Sequence, residues 1–272
     1  MKKISTAMVY LFIILMAMIT LFPFIYMILS SGMTFQEATS IPPTLFPKTY
    51  LFSNFALALK QAPFAQYFVN TVFVSLSTTA GVLITSVLAG FALSTLEFKF
   101  KNVISLLLIS LLMIPFEVTV FTNFNTIAKM GLLDTYTALI IPFLASVFYI
   151  FYLQEYFTGI PISFYKAAKV DGCSDLTYIR KILIPMSRPA LVTVGILNFI
   201  GSWNSFLWPL LVTNTPSLRL LNNGLSAFAS ESGTAVQLQM AASTFTIIPI
   251  LIIYFIFRKR IIEGVARNGL KG

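Results

Sequence analysis

Three residues in one apolar stretch carry side chains that could bind an uncharged, hydroxyl-rich ligand. Trp203 and Trp208 are the two tryptophans of the chain, and Asn204 follows the first of them directly. An aromatic ring can stack on the apolar face of a sugar ring while an amide hydrogen-bonds to its hydroxyl groups. Tryptophans that anchor a helix at a membrane interface are also common. The group therefore has two interpretations, a carbohydrate contact and a structural anchor.

A second candidate is Glu117, a carboxylate inside an apolar segment, two residues after Pro115. A charged side chain at the centre of a bilayer costs about 2.5 to 3.5 kcal/mol on insertion scales. Glu117 should therefore face water or protein. A place on a transport path and a structural hydrogen bond are both compatible with that position.

Enzymatic chemistry has little support in this sequence. One cysteine, Cys173, and no histidine exclude a disulfide framework and the common zinc sites. A membrane enzyme such as a lipid-modifying transferase would need acids, bases or metal ligands clustered at one membrane face, and the nine carboxylates are scattered. No G-x-x-x-x-G-K-[ST] phosphate loop occurs, so the chain cannot bind ATP in that way. We expect a non-catalytic chain that holds no cofactor or metal.

The composition places the chain in a lipid bilayer. Hydrophobic residues make up 57% of the 272 residues and charged residues only 10%, which is too apolar for one soluble core. About 20 apolar residues in a helix cross the hydrocarbon region. Six segments of that length are predicted as spans, at residues 9–29, 71–95, 103–121, 138–157, 189–212 and 240–257.

Basic residues predict the orientation, because they collect in cytoplasmic loops. With the N-terminus inside, most of the 18 Lys and Arg residues fall on the inner side, and only Lys48, Lys60, Lys129 and Arg219 fall outside. Both termini are then cytoplasmic. The first apolar run is too long for a signal peptide and has no small-residue cleavage site, so we expect an uncleaved helix.

The most polar stretch, YKAAKVDGCSDLTYIRKILIP, lies in the predicted inner loop at residues 158–188. It predicts two short helices separated by Gly172, which suits a left-handed helix stop. Ser174 is a predicted N-cap for the second helix, whose apolar side would be Leu176, Ile179 and Leu183. The small pair Ala167 and Ala168 would allow close approach of a partner. A docking helix and an ordinary interfacial helix both fit this pattern.

This segment resembles the cytoplasmic EAA loop of ABC importer permease subunits. The pattern is Glu-Ala-Ala, three residues, Gly, nine residues, then Ile, any residue, Leu and Pro. The matching positions, with Asp171 before the glycine as in sugar permeases, are Ala167, Ala168, Asp171, Gly172, Ile182 and Pro185. Lys166 stands where the family has glutamate, and Ile184 where it has leucine. The resemblance implies that these residues, with Lys166, couple the chain to an ATPase.

The resemblance extends over nearly the whole chain. The stretches GSWNSFLWPLLVTN, QMAASTFTIIPILIIYFIF and GVARNGLKG are similar to the fifth span, sixth span and tail of the maltose-type permeases, specifically the shorter second subunit. This implies an all-α membrane protein with the type I ABC importer permease fold, six transmembrane helices and a cytoplasmic coupling helix. The implied organisation is a first transmembrane helix at 1–30, an extracytoplasmic loop at 31–70 and a core permease domain at 71–272, with the coupling loop at 158–188.

The function implied by the resemblance is ATP-driven import of a sugar, most simply an oligosaccharide, across the cell membrane. The implied partners are a homologous second permease, two ATPase subunits that bind ATP and Mg, and an extracytoplasmic solute-binding protein. A C-terminal contact with an ATPase, through Gly269 and Lys271, is also implied. Alternatives are import of a non-sugar solute and a self-sufficient secondary transporter. The six spans show no detectable inverted repeat, which argues against a self-sufficient secondary transporter.

Overall fold

The structure, a computed structural model, describes residues 2–230 and 233–269, which are helical along most of their length. The α-helices are α1 (Lys2–Ser31), α2 (Phe35–Ala38), α3 (Ser53–Gln61), α4 (Phe64–Thr95), α5 (Lys101–Leu111), α6 (Phe116–Lys129), α7 (Tyr136–Ile140), α8 (Val147–Thr158), α9 (Ser163–Val170), α10 (Asp175–Tyr178), α11 (Ile184–Met186), α12 (Arg188–Trp203), α13 (Leu207–Val212), α14 (Leu221–Gly224) and α15 (Val236–Gly269). Shorter elements are 3-10 turns at Ile141–Phe143, Pro216–Leu218 and Leu225–Phe228, a π-helical turn at Ile179–Leu183, and the antiparallel strands β1 (Ala229–Ser230) and β2 (Gly233–Thr234).

The candidate spans among the described residues are three continuous helices and three bent pairs. Met8–Ser31, Phe64–Thr95 and Val236–Arg258 are each long and apolar enough to cross a membrane. The other three candidates reach that length only across a bend: Lys101–Leu111 with Phe116–Lys129 (99°), Tyr136–Phe143 with Val147–Thr158 (41°), and Asp175–Met186 with Arg188–Trp203 (84°). By length and composition, the described residues therefore hold up to six spans.

Prolines explain two of the places where the predicted spans are interrupted. Pro115 has no backbone N–H and its ring disfavours a helical residue before it, so the predicted span at 103–121 is two helices joined by a sharp bend. The predicted single helix at 189–212 is also wrong, because α12 ends at Trp203 and α13 begins at Leu207. The ring of Pro209 would clash with the carbonyl of Ser205 in a continuous helix.

The chain packs as two compact units, Met1–Ala65 with Gly224–Ile252 and Gln66–Asn223 with Ile253–Gly272. In the first unit, Asn54 joins α3 to the end of α1. Its amide is buried and donates to the carbonyls of Ser31 and Met33, at 2.8 Å each. The Tyr50 hydroxyl lies 2.8 Å from that of Ser31. Thr34 and Glu37 form a capping box that fixes the start of α2.

Two hydrophobic clusters lie among the described residues of the second unit. One lies under the 158–188 loop and includes Phe91, Leu153, Phe157, Tyr178 and Leu183. The other surrounds Trp208 and includes Val74, Val120, Ile127, Ala138, Leu139, Val212 and Leu220. Helix α4 contributes to both clusters, through Phe91 and Val74.

A polar contact in the second unit fastens the segment after α6 to the segment after α13. One carboxylate oxygen of Asp134 accepts hydrogen bonds from the backbone N–H groups of Asn214 and Thr215, both at 2.9 Å. Its other oxygen accepts from the Thr215 hydroxyl, and the Asp134 N–H donates to Val212 at 2.8 Å. These donors, first among them the Thr215 hydroxyl, lower the pKa of Asp134 below its ordinary value of 3.8.

Asp134→Asn should therefore destabilise the chain at neutral pH. The folded-state pKa is depressed, so the carboxylate stabilises the fold at pH values above 3.8 and this contribution disappears as the pH falls through the lower, folded value. Because Asp134 is only half-buried, we expect a loss of about 1 kcal/mol. Thermal unfolding in detergent should show a lower Tm for the variant at pH 7 and a shrinking difference at acid pH. An equal Tm at pH 7 would contradict the expectation.

Candidate functional site

The 158–188 loop begins with the short helix α9, which ends as the sequence predicts. Asp171 is its C-cap, and Gly172 follows with a φ of +76°, in the left-handed region that favours glycine. Ser174 caps α10, because its side chain accepts from the Thr177 N–H at 3.3 Å. The two predicted short helices are thus present on either side of Gly172.

Helix α9 places its two alanines on different sides. Ala168 is 5% exposed and packs into the cluster under the loop, whereas Ala167 is exposed. Phe164, Ala167 and Val170 are spaced by three residues and share one side of the helix. Phe164 is 46% exposed and Val170 is 88% exposed. We call Phe164, Ala167 and Val170 the exposed apolar face of α9. Of the two alanines, only Ala167 belongs to it.

One basic and one acidic residue adjoin the exposed apolar face. At about 3.6 residues per turn, Lys166 lies next to Val170 around the helix, and Asp171 lies between Ala167 and Phe164. Both charged side chains are exposed. Neither is in an ion pair within the described residues. The face therefore has a cation along one edge and a carboxylate at its C-terminal end.

A latch of three side chains ties α9 to α10 across Gly172. The Lys169 ammonium lies 2.6 Å from Oδ1 of Asp175, and the Tyr165 hydroxyl donates to the same oxygen at 2.8 Å. The hydrogen bond to Asp175 raises the pKa of Lys169 above its ordinary 10.5, so the contact is present below pH 10.5 and is lost as the pH rises through the raised value. Burial, followed by the bond to Asp175, raises the pKa of Tyr165.

Three aromatic rings support the latch from beneath. The Tyr165 ring lies 5.1 Å from that of Tyr178 and 5.8 Å from that of Phe91, both near edge-to-face, and the Phe91 and Tyr178 rings are 6.0 Å apart. Phe91 belongs to α4, whereas the two tyrosines lie on either side of Gly172. The loop is thus held on α4 by packed rings as well as by its own backbone.

The second half of the loop differs from the predicted single helix. Ile179–Leu183 is a π-helical turn, a wider form that sequence periodicity does not reveal. Ile179 and Leu183 are buried as predicted, but Leu176 is 59% exposed. Ile182 packs against the cluster under the loop, and Pro185 is exposed within α11. Ile182 therefore serves the internal packing of the loop.

The C-terminal residues differ in part from the prediction. Asn268 and Gly269, predicted as a tail past the last span, belong to α15, which continues helical to Gly269. Lys271 lies outside the described residues.

The tryptophans predicted as path candidates are buried side chains of the second unit. Trp203 is 2% exposed and packs against Phe68 and Phe199, with ring centroids 5.8 and 5.7 Å away. Trp208 is 1% exposed, and its Nε1–H donates to the Ala138 carbonyl at 2.9 Å. In this chain their contacts are those of core residues, while Asn204 between them is exposed as the C-cap of α12.

Glu117 occupies the first turn of α6 and is exposed. A carboxylate is favourable there because the free N–H groups at a helix start carry partial positive charge. The bend before Pro115 brings this helix start into the middle of the predicted span. Glu117 is thus at a helix terminus rather than on the side of a continuous helix.

A cavity of about 180 Å³ opens beside Trp208, and sequence analysis missed it. Its walls come from α4, Phe143, α8, α12 and the segment leading into α13, which are far apart in sequence. Its lining residues are Val74, Thr78, Leu139, Phe143, Tyr149, Asn198, Gly201, Ser202, Ser205, Trp208, Pro209 and Leu220. We call it the Trp208 cavity. Only Trp208 was among the path candidates, because no local spacing links the other residues.

Comparisons with known proteins agree with this architecture. The family model described as "Binding-protein-dependent transport system inner membrane component" matches residues 81–267. The arabinooligosaccharides transport system permease protein of Halalkalibacterium halodurans is 33% identical over 94% of this chain and 93% of its own. The sulfoquinovosyl glycerol transport system permease protein of Agrobacterium fabrum is 32% identical over 93% and 89%.

A solved structure is similar along nearly the whole chain. It is a chain from the crystal structure of a bacterial ABC transporter involved in the import of the acidic polysaccharide alginate. The TM-score is 0.81 with 25% identity, and the match covers 94% of this chain and 96% of that chain. This chain, including its bent helix pairs, therefore has the fold of an ABC transporter permease.

Proposed function

This chain belongs to the family of inner membrane components of binding-protein-dependent transport systems, and from that membership we propose that it is a permease subunit of an ATP-driven sugar importer. The permeases at 33% and 32% identity carry arabinooligosaccharides and sulfoquinovosyl glycerol in their names. The structural neighbour comes from an importer of alginate. These relatives support a sugar, and an oligosaccharide in particular, as the solute.

The observation that carries the coupling part of the proposal is the exposed apolar face of α9. Val170 is almost fully exposed in the most polar loop of the chain, with Phe164 and Ala167 on the same side. Apolar side chains held outward on a rigid helix are typical of a contact surface. The sequence has no phosphate loop of its own, so ATP must act through another subunit. We therefore assign this face to an ATPase subunit.

The two charges orient that contact. Lys166 at one edge of the apolar face and Asp171 at its C-terminal end would meet opposite charges on the ATPase, which fixes the register of docking. Gly172 provides the turn that lets the helix project. Pro185 is exposed within the loop. Gly269 and Lys271, in the C-terminal tail, are proposed to add a second contact with the ATPase.

The remaining parts of the assembly follow from the same proposal. A homologous permease would complete the translocation path, two ATPase subunits would bind ATP and Mg, and an extracytoplasmic solute-binding protein would deliver the sugar. Both termini and the 158–188 loop would then lie in the cytoplasm, and residues 31–70 outside. The chain itself performs no chemistry. Glu117 and Asn204 are exposed and remain candidates for contact with the sugar on the translocation path. The buried rings of Trp203 and Trp208 would instead shape the wall of that path.

Crosslinking tests the docking directly. With Cys173 replaced by Ser, we expect Val170→Cys to crosslink in membranes to a cysteine placed in the ATPase groove, because the native side chain is 88% exposed on the proposed contact face. The yield should change when ATP is added, since the two ATPases move on binding nucleotide.

The matched control is Met130→Cys, which is 59% exposed at the end of α6 and would lie on the opposite membrane face. It should react with soluble maleimide but not with the ATPase. If Val170→Cys gives no ATPase adduct while sugar uptake remains normal, the docking assignment is wrong. Uptake that continues without ATP in proteoliposomes would contradict the importer proposal as a whole.

A further inference from the structure

The Trp208 cavity holds polar groups whose hydrogen-bonding capacity the described residues do not fully use. The Thr78 and Ser202 hydroxyls lie 3.1 Å apart. Because the Thr78 proton is donated to the Val74 carbonyl at 2.9 Å, Ser202 can donate to Thr78, and a lone pair of Ser202 Oγ stays open to another donor. The Asn198 side-chain NH₂ donates to the Thr79 hydroxyl at 3.1 Å. The Asn198 side-chain oxygen has no hydrogen-bond donor among the described residues. The Ser205 and Tyr149 hydroxyls also have no described partner. Donors and acceptors of this kind are normally satisfied by a ligand or water.

The remaining walls are apolar and aromatic. Phe143 and Trp208 stand edge-to-face with ring centroids 5.9 Å apart, and Tyr149 contributes a third ring. A pocket built mainly from apolar and aromatic side chains with a few convergent polar groups is the usual form of a small-molecule site. The aromatic faces and the hydroxyls together match a ring that has one apolar face and a rim of hydroxyl groups.

The lining also lacks charge: none of its side chains is Asp, Glu, Lys or Arg. A carboxylate or sulfonate placed here would lose its hydration without gaining a cation, which is strongly unfavourable. Sites that take such anions usually provide arginine or lysine. The Trp208 cavity therefore discriminates against an acidic sugar.

We infer that the Trp208 cavity is a binding site within this subunit for one ring of an uncharged sugar, with Asn198, Ser202, Ser205 and Tyr149 as its hydrogen-bonding groups. The inference rests on the proposed function and narrows its substrate class. A preference for uncharged sugars distinguishes this chain from the structural neighbour, whose importer takes an acidic polysaccharide. It agrees with a relative named for arabinooligosaccharides.

Protection of an introduced cysteine tests the site. In the assembled importer with Cys173→Ser, the variant Ser205→Cys is treated with N-ethylmaleimide, and modification at position 205 is read by mass spectrometry. Arabinotriose, xylotriose and maltotriose are each added at increasing concentration. We expect at least one to slow the modification fivefold or more, and a trimannuronate trisaccharide, which carries carboxylates, to have no effect at equal concentration.

Met130→Cys, exposed and not among the lining residues, is the matched control and should not be protected. Adding Tyr149→Phe to Ser205→Cys removes one unpartnered hydroxyl and should raise the half-protecting concentration about fivefold, as expected for one neutral hydrogen bond. If no neutral sugar protects while uptake is normal, the site is refuted and the importer proposal stands. Equal protection by trimannuronate would overturn the neutral class.

Discussion

Gly172→Val is expected to reduce sugar uptake by about tenfold while the chain still inserts into the membrane. Gly172 has a φ of +76°, and an L side chain in the left-handed region costs about 1 to 2 kcal/mol, more for a β-branched residue. A Cβ there would meet no atom within 4 Å, so the cost comes from the backbone and not from a clash. The helix would project incorrectly. Uptake in membranes and co-purification of the ATPase measure the loss.

Gly172→Asn is the matched control, because asparagine adopts the left-handed region more readily than other residues. It should retain most of the uptake and of the bound ATPase. The backbone argument fails if valine and asparagine are equally harmful, since both add bulk but only valine is strongly strained. Normal uptake with valine would also contradict the assignment of this turn to coupling.

Trp203→Ala should lower the yield of folded protein rather than change the recognition of sugar. The ring is 2% exposed and packed against Phe68 and Phe199, and replacing a buried tryptophan by alanine typically costs about 3 to 5 kcal/mol. Thermal stability in detergent and the fraction of monodisperse protein report this loss. We expect a fall in both, with the concentration for half-maximal uptake unchanged in the protein that remains folded.

Trp203→Phe provides the comparison, because it keeps an aromatic ring in the core and leaves a smaller void. It should recover much of the stability. A normal folded yield for Trp203→Ala together with a raised half-maximal concentration would give the opposite answer. The ring would then belong to the sugar path, as the stacking interpretation requires.

Local signals predicted the parts of the structure that depend on a few neighbouring residues. Apolar runs located the three continuous spans, Met8–Ser31, Phe64–Thr95 and Val236–Arg258, because about 20 apolar residues in a helix cross a bilayer. Gly172 and Ser174 predicted the helix stop and the N-cap of the 158–188 loop, since each acts through its own backbone or that of a residue three positions away. These features need no knowledge of the tertiary fold.

The features that were missed depend on contacts between distant segments. The Trp208 cavity combines Thr78, Tyr149, Asn198 and Ser205 from separate elements, and no spacing in the sequence brings them together. The burial of Trp203 depends on Phe68, more than a hundred positions earlier. The bend at Pro115 was visible as a helix-perturbing proline, but its angle of 99° is set by the packing around it.

Helix α4 is one continuous helix that reaches both proposed functional regions of the second unit. Phe91 near its end contacts Tyr165 and Tyr178 of the loop, and Thr78 lines the Trp208 cavity. Thirteen residues of α-helix separate the two positions, or about 20 Å at 1.5 Å per residue. The helix is continuous between them, so a displacement of the Phe91 ring would be transmitted along α4 to the wall that carries Thr78. ATP-driven movement of the loop would in this way reshape the cavity mechanically, without any diffusible signal or change of charge between them.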